Sequence, residues 1–308
     1  MKAAVVSSFD TAPRYADFSL PTPGPDDLVV DVLAAGLHPR VLSQANGSHY
    51  TSTDELPLVP GIDGVGRDAE GNLRYFVLPD TTLGSMAEQT VIDARRSIVL
   101  PEGADPIAVA AAMNPAMSSW VALRRRVRVE PGFSALILGA TGSAGRLAVQ
   151  VCRHLGASRV VAAGRNAEKL ATVGADDVST FDRVGEVAAD VDVVLDYLWG
   201  EPATAAMVAL VTARPDRGKP LSWVQIGSVA GPTAAIPSAA LRASRTQIVG
   251  SGQGSVGTRE ILAELSGLAQ AIADGVFTID VHPVPLSDVE RTWSEAHGSP
   301  RRIVLTPA

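Results

Sequence analysis

The sequence predicts an α/β fold in which a β-rich domain is followed by a doubly wound parallel sheet. Three observations predict it. The first third of the chain reads as short strands and turns, the middle alternates apolar runs with helical patterns, and one apolar run leads directly into three glycines spaced three residues apart. Alternating strand and helix patterns are typical of βαβ units, which build parallel sheets with helices on both faces.

Length and composition restrict the possible classes of protein. The chain has 308 residues, enough for two domains, and its 46% hydrophobic and 19% charged residues favour a large buried core. A formal net charge of -7 provides no basic surface for nucleic acid. Residues 1–8 lack the apolar run of a signal peptide, and we find no run of the ~20 apolar residues that a membrane helix needs. We therefore expect a cytoplasmic protein with neither nucleic acid nor membrane as a partner.

The amino-terminal part is predicted to contain antiparallel strands. Apolar and polar residues alternate over residues 28–33, a proline and glycine turn lies at 21–25, and a second strand is predicted at 73–78. Helical patterns follow at 106–113 and at 115–126, where Pro115 suits the first turn of a new helix. This helical stretch is predicted to join the two domains.

The remainder is predicted to alternate between strand and helix. Its predicted strands cover residues 135–138, 160–163, 193–197 and 221–226, and its predicted helices cover 143–155, 167–173 and 203–211. A last segment contains a predicted helix at 258–273, a strand at 276–283, a helix at 286–296 and a strand at 302–305. The pattern alone assigns this segment to neither domain.

The glycine-rich turn carries the strongest chemical signal. Gly139, Gly142 and Gly145 lie between a predicted strand and a predicted helix. The first glycine permits a tight turn, the second lets the backbone approach a pyrophosphate, and the third lets the helix pack closely against the strand. The free N–H groups at the helix N-terminus then bind the phosphate. This pattern predicts a Rossmann domain, with Cys152 on the buried face of its first helix in a packing role.

The end of the second predicted strand distinguishes NADPH from NADH. In NAD-binding proteins an acidic residue binds the ribose 2′-hydroxyl there, whereas a basic residue accommodates a 2′-phosphate. The sequence at this point is Gly164, Arg165 and Asn166, with no carboxylate. The guanidinium of Arg165 suits a phosphate, so NADPH is the predicted cofactor. The alternative is that Arg165 is an ordinary solvated surface residue.

Two further strand ends are predicted to line the same groove, because ligands bind at the carboxyl ends of parallel strands. Either segment is alternatively a plain turn. The candidate cofactor-binding residues are Gly139, Ala140, Thr141, Gly142, Ser143, Ala144, Gly145, Gly164, Arg165, Asn166, Asp196, Ile226, Gly227 and Ser228.

Several motifs together resemble the medium-chain dehydrogenase/reductase superfamily, and in particular its quinone oxidoreductase-like branch. They are VPGIDGVG at 59–66, GSMAEQTVI at 84–92, LPEGADPIAVAAAM at 100–113 and the AxGxxG pattern of Ala140, Gly142 and Gly145. The resemblance implies a GroES-like catalytic domain over 1–115, a Rossmann domain over 116–250 and a segment, 251–308, that returns to the catalytic domain. It also implies a cofactor in the cleft between the domains and a homodimer.

The resemblance further implies that no catalytic zinc is present. Zinc-dependent members carry Gly-His-Glu where this chain has Gly61, Ile62 and Asp63. A single cysteine also excludes a thiolate-rich structural zinc site. Polarisation of the substrate is therefore expected from hydrogen bonds.

The residues expected near the substrate depart from the family pattern. Quinone reductases commonly have Asn-Pro where this chain has His38 and Pro39, and an arginine where it has Ala45. His38 or Tyr50 is a candidate proton or hydrogen-bond donor to the substrate oxygen, and a structural role for each is the alternative. Asn114 is a third candidate, with the alternative that it caps a helix beginning at Pro115.

The expected function is hydride transfer from NADPH to a small-molecule substrate, namely a quinone, an α,β-unsaturated carbonyl compound or a related electrophile, without zinc. Two alternatives remain open on sequence alone. A short-chain-type reductase has a similar glycine loop, although such folds begin with the glycine strand. A non-catalytic NADPH-binding protein with a regulatory or structural role is compatible with the departures at His38 and Ala45.

Overall fold

The computed structural model describes residues 1–49, 51–252, 254–296, 299 and 301–307. The chain forms two compact units: the first combines Met1–Asn114 with Leu265–Ala308, and the second is Pro115–Glu264. The first division agrees with the boundary of 115 expected from the sequence to within one residue, whereas the second lies beyond the expected boundary of 250. The later one falls at Glu264 because its side chain is bound within the second unit, where it accepts hydrogen bonds from Trp120 Nε1 at 2.9 Å and Arg124 Nε at 2.5 Å.

Most of the first unit is built from the amino-terminal strands. In chain order these elements are β1 (Lys2–Val5), β2 (Arg14–Asp17), β3 (Asp27–Leu37), α1 (Pro39–Ala45), β4 (Asp63–Arg67), β5 (Leu73–Val77), β6 (Gln89–Asp93) and β7 (Ser97–Val99). β1 and β2 form a two-stranded antiparallel sheet, and β3 pairs in antiparallel fashion with both β4 and β6. The predicted antiparallel character is therefore present, and the strand predicted at 28–33 extends to Leu37.

A single helix, α2 (Pro106–Val121), continues where two helices were predicted. The break predicted before Pro115 is wrong, since Pro115 lies inside α2. Proline removes one backbone hydrogen bond, but the neighbouring Ala111 and Ala116 are fully buried, so packing holds the helix together. A π-helical turn, Ala122–Arg126, follows. Pro106–Arg126 has the length and hydropathy of a membrane span, and 67% of its most apolar window is buried in the fold, as in a core helix.

The second unit is a six-stranded parallel sheet with helical connections. Its elements after α2 are β8 (Ser134–Leu138), α3 (Ser143–His154), β9 (Arg159–Ala163), α4 (Ala167–Leu170), β10 (Asp177–Ser179), α5 (Val184–Ala188), β11 (Val193–Asp196), α6 (Gly200–Ala213), β12 (Leu221–Gln225), α7 (Ser238–Arg242) and β13 (Thr246–Gly250). The strand order is β10-β9-β8-β11-β12-β13. The order reverses between β8 and β11, and ligands of such sheets bind at that point.

The last elements complete the first unit. They are α8 (Thr258–Ala273), which begins in the second unit, β14 (Val281–Pro285), α9 (Val289–Glu295) and β15 (Arg302–Thr306). The strand predicted from residue 276 starts only at Val281, because Gly275 and Val276 close α8 by hydrogen bonds to Ile272 and Ala271. β15 lies between β14 and β3 in a sheet of order β14-β15-β3-β4-β5-β7.

Candidate functional site

The glycine loop between β8 and α3 leaves no room for side chains at two of its three glycines. Gly139 has a φ of +86°, which L side chains rarely adopt. A Cβ atom on Gly145 would lie 2.3 Å from the carbonyl oxygen of Gly139, whereas a Cβ atom on Gly142 would lie 3.6 Å from that oxygen. Gly142 is exposed. The loop thus packs tightly at its base and presents open backbone at its tip.

The same loop begins a helix that is suited to bind an anion. Gly142 is the N-cap of α3 and provides no side chain to bond the first N–H groups. Ser143 is exposed, Thr141 and Ala144 are half-buried, and Ala140 is buried. The helix is twelve residues long, so its amino end carries a substantial partial positive charge. This arrangement fits the pyrophosphate of a dinucleotide.

At the end of β9 a cationic side chain reaches solvent. Gly164 is buried, and a Cβ atom there would lie 3.4 Å from Thr141 Cγ2, so this strand end adjoins the glycine loop. Arg165 is exposed, and no described residue hydrogen-bonds to its side chain. Asn166 instead caps α4, since its Oδ1 accepts from the backbone N–H of Lys169 at 2.8 Å. The guanidinium of Arg165 is therefore free to bind a phosphate, whereas the Asn166 side chain is already engaged.

Two basic residues near this strand end were missed in the sequence analysis. Lys169 is exposed and lies in α4, close after Arg165 in the sequence. Arg146 lies in the first turn of α3, where its Nε donates to Thr141 O at 3.3 Å and its Nη2 donates to Thr172 Oγ1 at 2.9 Å. A cation in the first turn opposes the helix dipole, and a bound anion would offset that cost.

Asp196, at the end of β11, has a structural role. Its Oδ1 accepts from the N–H groups of Leu198 and Trp199, both at 2.9 Å, and its Oδ2 accepts from Trp223 Nε1 at 2.9 Å. The side chain is 0% exposed, and burial raises its pKa while the three hydrogen bonds oppose that shift. These bonds hold Trp199 at a φ of +53°, which is costly for a residue other than glycine. Asp196 therefore shapes the loop and does not present its carboxylate to a ligand.

The segment after β12 lies against the same loop. The N–H groups of Ile226 and Gly227 both donate to the backbone oxygen of Asp196, at 2.8 and 3.1 Å. A Cβ atom on Gly227 would lie 2.6 Å from Tyr197 O, so this close approach requires glycine. Ser228 is exposed. The carboxyl ends of β8, β9, β11 and β12 thus bring most of the predicted cofactor residues to one edge of the sheet.

A buried polar cluster in the first unit contains His38. His38 Nε2 lies 3.2 Å from Asp63 Oδ1, and Tyr75 donates its hydroxyl hydrogen to Asp63 Oδ2 at 2.8 Å. His38, Asp63 and Tyr75 are 5%, 1% and 0% exposed. Burial lowers the pKa of His38, and the hydrogen bond to Asp63 opposes that shift. The sequence analysis noted Asp63 only as a departure from the zinc motif, and Tyr75 was not considered.

Arg302 adds a buried positive charge to this cluster. It begins β15 and is 6% exposed, and its Nε and Nη2 atoms have no hydrogen-bond partner among the described residues. A Cβ atom on Gly36 would lie 3.3 Å from Arg302 Nη2, so the absence of a side chain there makes room for the guanidinium. Burial lowers the pKa of Arg302 to about 10, and the charge of Asp63 opposes that shift. No signal in the sequence identified this residue.

The remaining predictions for the substrate site have different outcomes. Tyr50 lies outside the described residues. Asn114 is half-buried in the interior of α2, so the alternative that it caps a helix is wrong.

In the part of the chain that the structure describes, no three His, Cys, Asp or Glu side chains are grouped to hold a metal ion. Cys152 is buried, and burial raises its pKa to about 12, as fits a packing role.

Comparison with known proteins identifies the family. No family model matches the chain. A probable NADPH-dependent quinone reductase of Emericella nidulans, tdiC, is 31% identical over 361 aligned residues, which cover 100% of both chains. The chain belongs to the quinone oxidoreductase-like branch of the medium-chain dehydrogenase/reductase superfamily. The predicted family and its class, an oxidoreductase enzyme, are thereby confirmed.

A second relative is less similar in sequence, and a solved structure shows the same fold. An NADPH-dependent alkenal/one oxidoreductase from Arabidopsis thaliana chloroplasts is 28% identical over 222 residues, or 64% of this chain and 57% of its own length. The structure of a mycobacterial quinone oxidoreductase superimposes with a TM-score of 0.83 at 22% identity, covering 100% of both chains. The predicted fold class is confirmed, and the alternative of a short-chain reductase is wrong, because a β-rich unit precedes the glycine strand.

Proposed function

We propose that this oxidoreductase uses NADPH to reduce a quinone or an α,β-unsaturated carbonyl compound. The observation that carries the proposal is the glycine loop, whose tight base and open tip fit a diphosphate, with the free guanidinium of Arg165 at the next strand end. The full-length relative and the alkenal/one oxidoreductase, both named as NADPH-dependent, support the cofactor and the substrate class.

The residues of the second unit hold the cofactor in this proposal. The backbone of the loop from Gly139 to Gly145 and the amino end of α3 bind the pyrophosphate. Arg165 and Lys169 bind the 2′-phosphate, since neither side chain has a hydrogen-bond partner among the described residues. Bound NADPH supplies a hydride, and the reduced product also takes up one proton, which solvent or Tyr50 supplies.

We also propose that the reaction does not use zinc. Ile62 stands where zinc-dependent members have a histidine, and Asp63 and His38 are hydrogen-bonded to each other. Hydrogen bonds to the substrate oxygen then replace a Lewis acid in stabilising negative charge. Activity should persist after dialysis against a strong chelator, and loss of activity that added zinc restores would contradict this part of the proposal.

Assembly and location are further proposals. β13 is the last strand of the parallel sheet, and such an edge suits edge-to-edge pairing with a second copy in a homodimer. We also propose a cytoplasmic location, and the net charge of -7 disfavours binding to nucleic acid and to anionic membrane surfaces. Light scattering of the purified chain, with a charged substitution in β13 as the comparison, measures the oligomeric state.

A panel of electron acceptors tests the main proposal. NADPH oxidation is followed at steady state with benzoquinones, naphthoquinones, enones and simple ketones. We expect turnover with quinones or enones and little with ketones. Tight NADPH binding without turnover of any acceptor would indicate a non-catalytic binding protein and would overturn the assignment. Absence of NADPH binding would overturn both the proposed cofactor and the proposed reaction.

A further inference from the structure

The buried cluster around His38 takes residues from three neighbouring strands and from the end of a fourth. Along the order β15, β3, β4, β5, these are Arg302, His38 directly after β3, Asp63 and Tyr75. The register pairs Ile303 with Leu37, which brings Arg302 and His38 to adjacent positions. The cluster is therefore specified by strand pairing rather than by a flexible loop.

The hydrogen bonds decide which nitrogen of His38 carries the proton. The Tyr75 hydroxyl keeps its proton, because burial raises the pKa of Tyr75 well above its usual value, and it donates to Asp63 Oδ2. The other oxygen, Oδ1, faces His38 Nε2. A carboxylate only accepts hydrogen bonds, so Nε2 must carry the hydrogen. The second ring nitrogen, Nδ1, has no hydrogen-bond partner among the described residues.

Burial and the neighbouring charges together decide whether His38 carries a second proton, and burial has the larger effect on its pKa. Two nitrogens of the buried Arg302 guanidinium have no hydrogen-bond partner among the described residues, which is costly unless a negative charge compensates, and Asp63 provides that charge. The opposite charges of Asp63 and Arg302 therefore partly offset each other. A proton on Nδ1 would add an unbalanced positive charge to the cluster, with Arg302 and Arg40 both disfavouring it. Burial thus lowers the pKa of His38 most, and the charge of Arg302 opposes the effect by which Asp63 would favour an imidazolium.

We propose that Asp63, Tyr75 and Arg302 are positioning residues that hold His38 as a neutral imidazole with its hydrogen on Nε2, leaving Nδ1 as a hydrogen-bond acceptor toward the substrate. Only the role toward the substrate rests on the proposed function. At neutral pH, His38 then binds an O–H or N–H group of the substrate or product and has no proton of its own to give. The proton that accompanies the hydride comes from another source, such as water.

Nitrogen NMR of histidine-labelled protein tests this assignment. The chain has five histidines, and the His38→Asn variant identifies the signal of His38. In the wild-type protein we expect the neutral form with hydrogen on Nε2 at pH 7, with no titration at the usual value near 6.5. A wild-type His38 that is an imidazolium at pH 7, or that carries its hydrogen on Nδ1, would overturn the proposal.

Two substitutions should move the titration of His38 in opposite directions. Arg302→Met removes a charge that disfavours the imidazolium, so the titration midpoint of His38 should rise, whereas Arg302→Lys keeps the charge and should leave the midpoint near that of the wild type. Asp63→Asn removes the negative charge that attracts a second proton and should lower the titration midpoint of His38 further. A purely structural role would change stability in both variants without these opposite shifts. An unchanged titration in Arg302→Met would contradict the proposal.

Other measurements keep the test decisive if a variant does not fold. Tyr75→Phe removes one hydrogen-bond donor from Asp63, so Asp63 should bind the hydrogen on Nε2 of His38 more strongly. Comparison of the wild-type and Tyr75→Phe nitrogen spectra tests this expectation. The acceptor assay on the same preparation separates the two proposals. Turnover with an imidazolium at His38 would refute the positioning role alone, and a neutral His38 without turnover would refute the proposed function alone.

Discussion

Replacing Gly145 with alanine tests the geometry of the glycine loop directly. The new Cβ atom would lie 2.3 Å from Gly139 O and 2.7 Å from Ala140 Cα, whereas ordinary contacts begin at 3.4 Å. Both neighbours are backbone atoms, so no flexible side chain can move aside, and the loop must shift by about 1 Å. Overpacking of this kind costs about 1 to 3 kcal/mol, and each kcal/mol corresponds to a fall in Tm of about 2 to 4 °C.

A shifted loop should also weaken cofactor binding. Hydrogen bonds to a charged group contribute about 1.5 to 3 kcal/mol, so misplacing one of them should raise the Kd for NADPH about tenfold to a hundredfold. Fluorescence titration with NADPH measures the Kd, and calorimetry measures the Tm. Gly142→Ala is the matched control, because its Cβ atom has 3.6 Å of clearance and its φ is -79°, so its Tm should equal that of the wild type. Wild-type Tm and Kd in Gly145→Ala would refute the assigned loop geometry.

Three further predictions follow from single side chains. Arg165→Ala should lose about 1.5 to 3 kcal/mol of NADPH affinity and little NADH affinity, and equal losses in parallel titrations would refute its contact with the 2′-phosphate. Asp196→Asn turns an amide N–H toward Trp223 Nε1 and should cost about 1 to 3 kcal/mol in urea unfolding, so unchanged stability would contradict its buried role. His38 has a lowered pKa in the folded protein, so the unfolded chain binds more protons below pH 6.5, and stability should fall with decreasing pH there by up to about 1.4 kcal/mol per pH unit. His38→Asn should lack that part of the slope in denaturant titrations at each pH.

Strong local signals explain why the second unit could be predicted well from sequence. The predicted helix at 143–155 matches α3 (Ser143–His154), and the predicted strand at 160–163 matches β9 (Arg159–Ala163). In both places a short apolar run is bounded by glycine or by a change of period, and such cues act within a few residues. Pro115 misled the prediction because burial on both sides of α2 outweighs the local tendency of proline to end a helix.

Only part of the candidate site could be predicted from the sequence. The glycine loop and Arg165 lie at a characteristic spacing along the chain, so their roles could be predicted from the sequence. The partners of His38 obey no such rule, since Asp63, Tyr75 and Arg302 meet it through the pairing of four strands. Their register depends on contacts between residues far apart in sequence, which a single chain does not reveal.

The position of β15 has a consequence for how the protein is made. This strand is the last in chain order, yet it lies inside its sheet, between β14 and β3. During translation the amino-terminal strands leave the ribosome long before β15 is synthesised. The edge of β3 that pairs with β15 therefore remains unpaired while the whole second unit is produced. Pairing between strands that are far apart in sequence slows folding, and until it occurs the unpaired edge of β3 can associate with other chains. Nascent chains stalled before residue 302 should therefore depend on chaperones, whereas the parallel sheet, continuous in sequence, acquires its structure earlier.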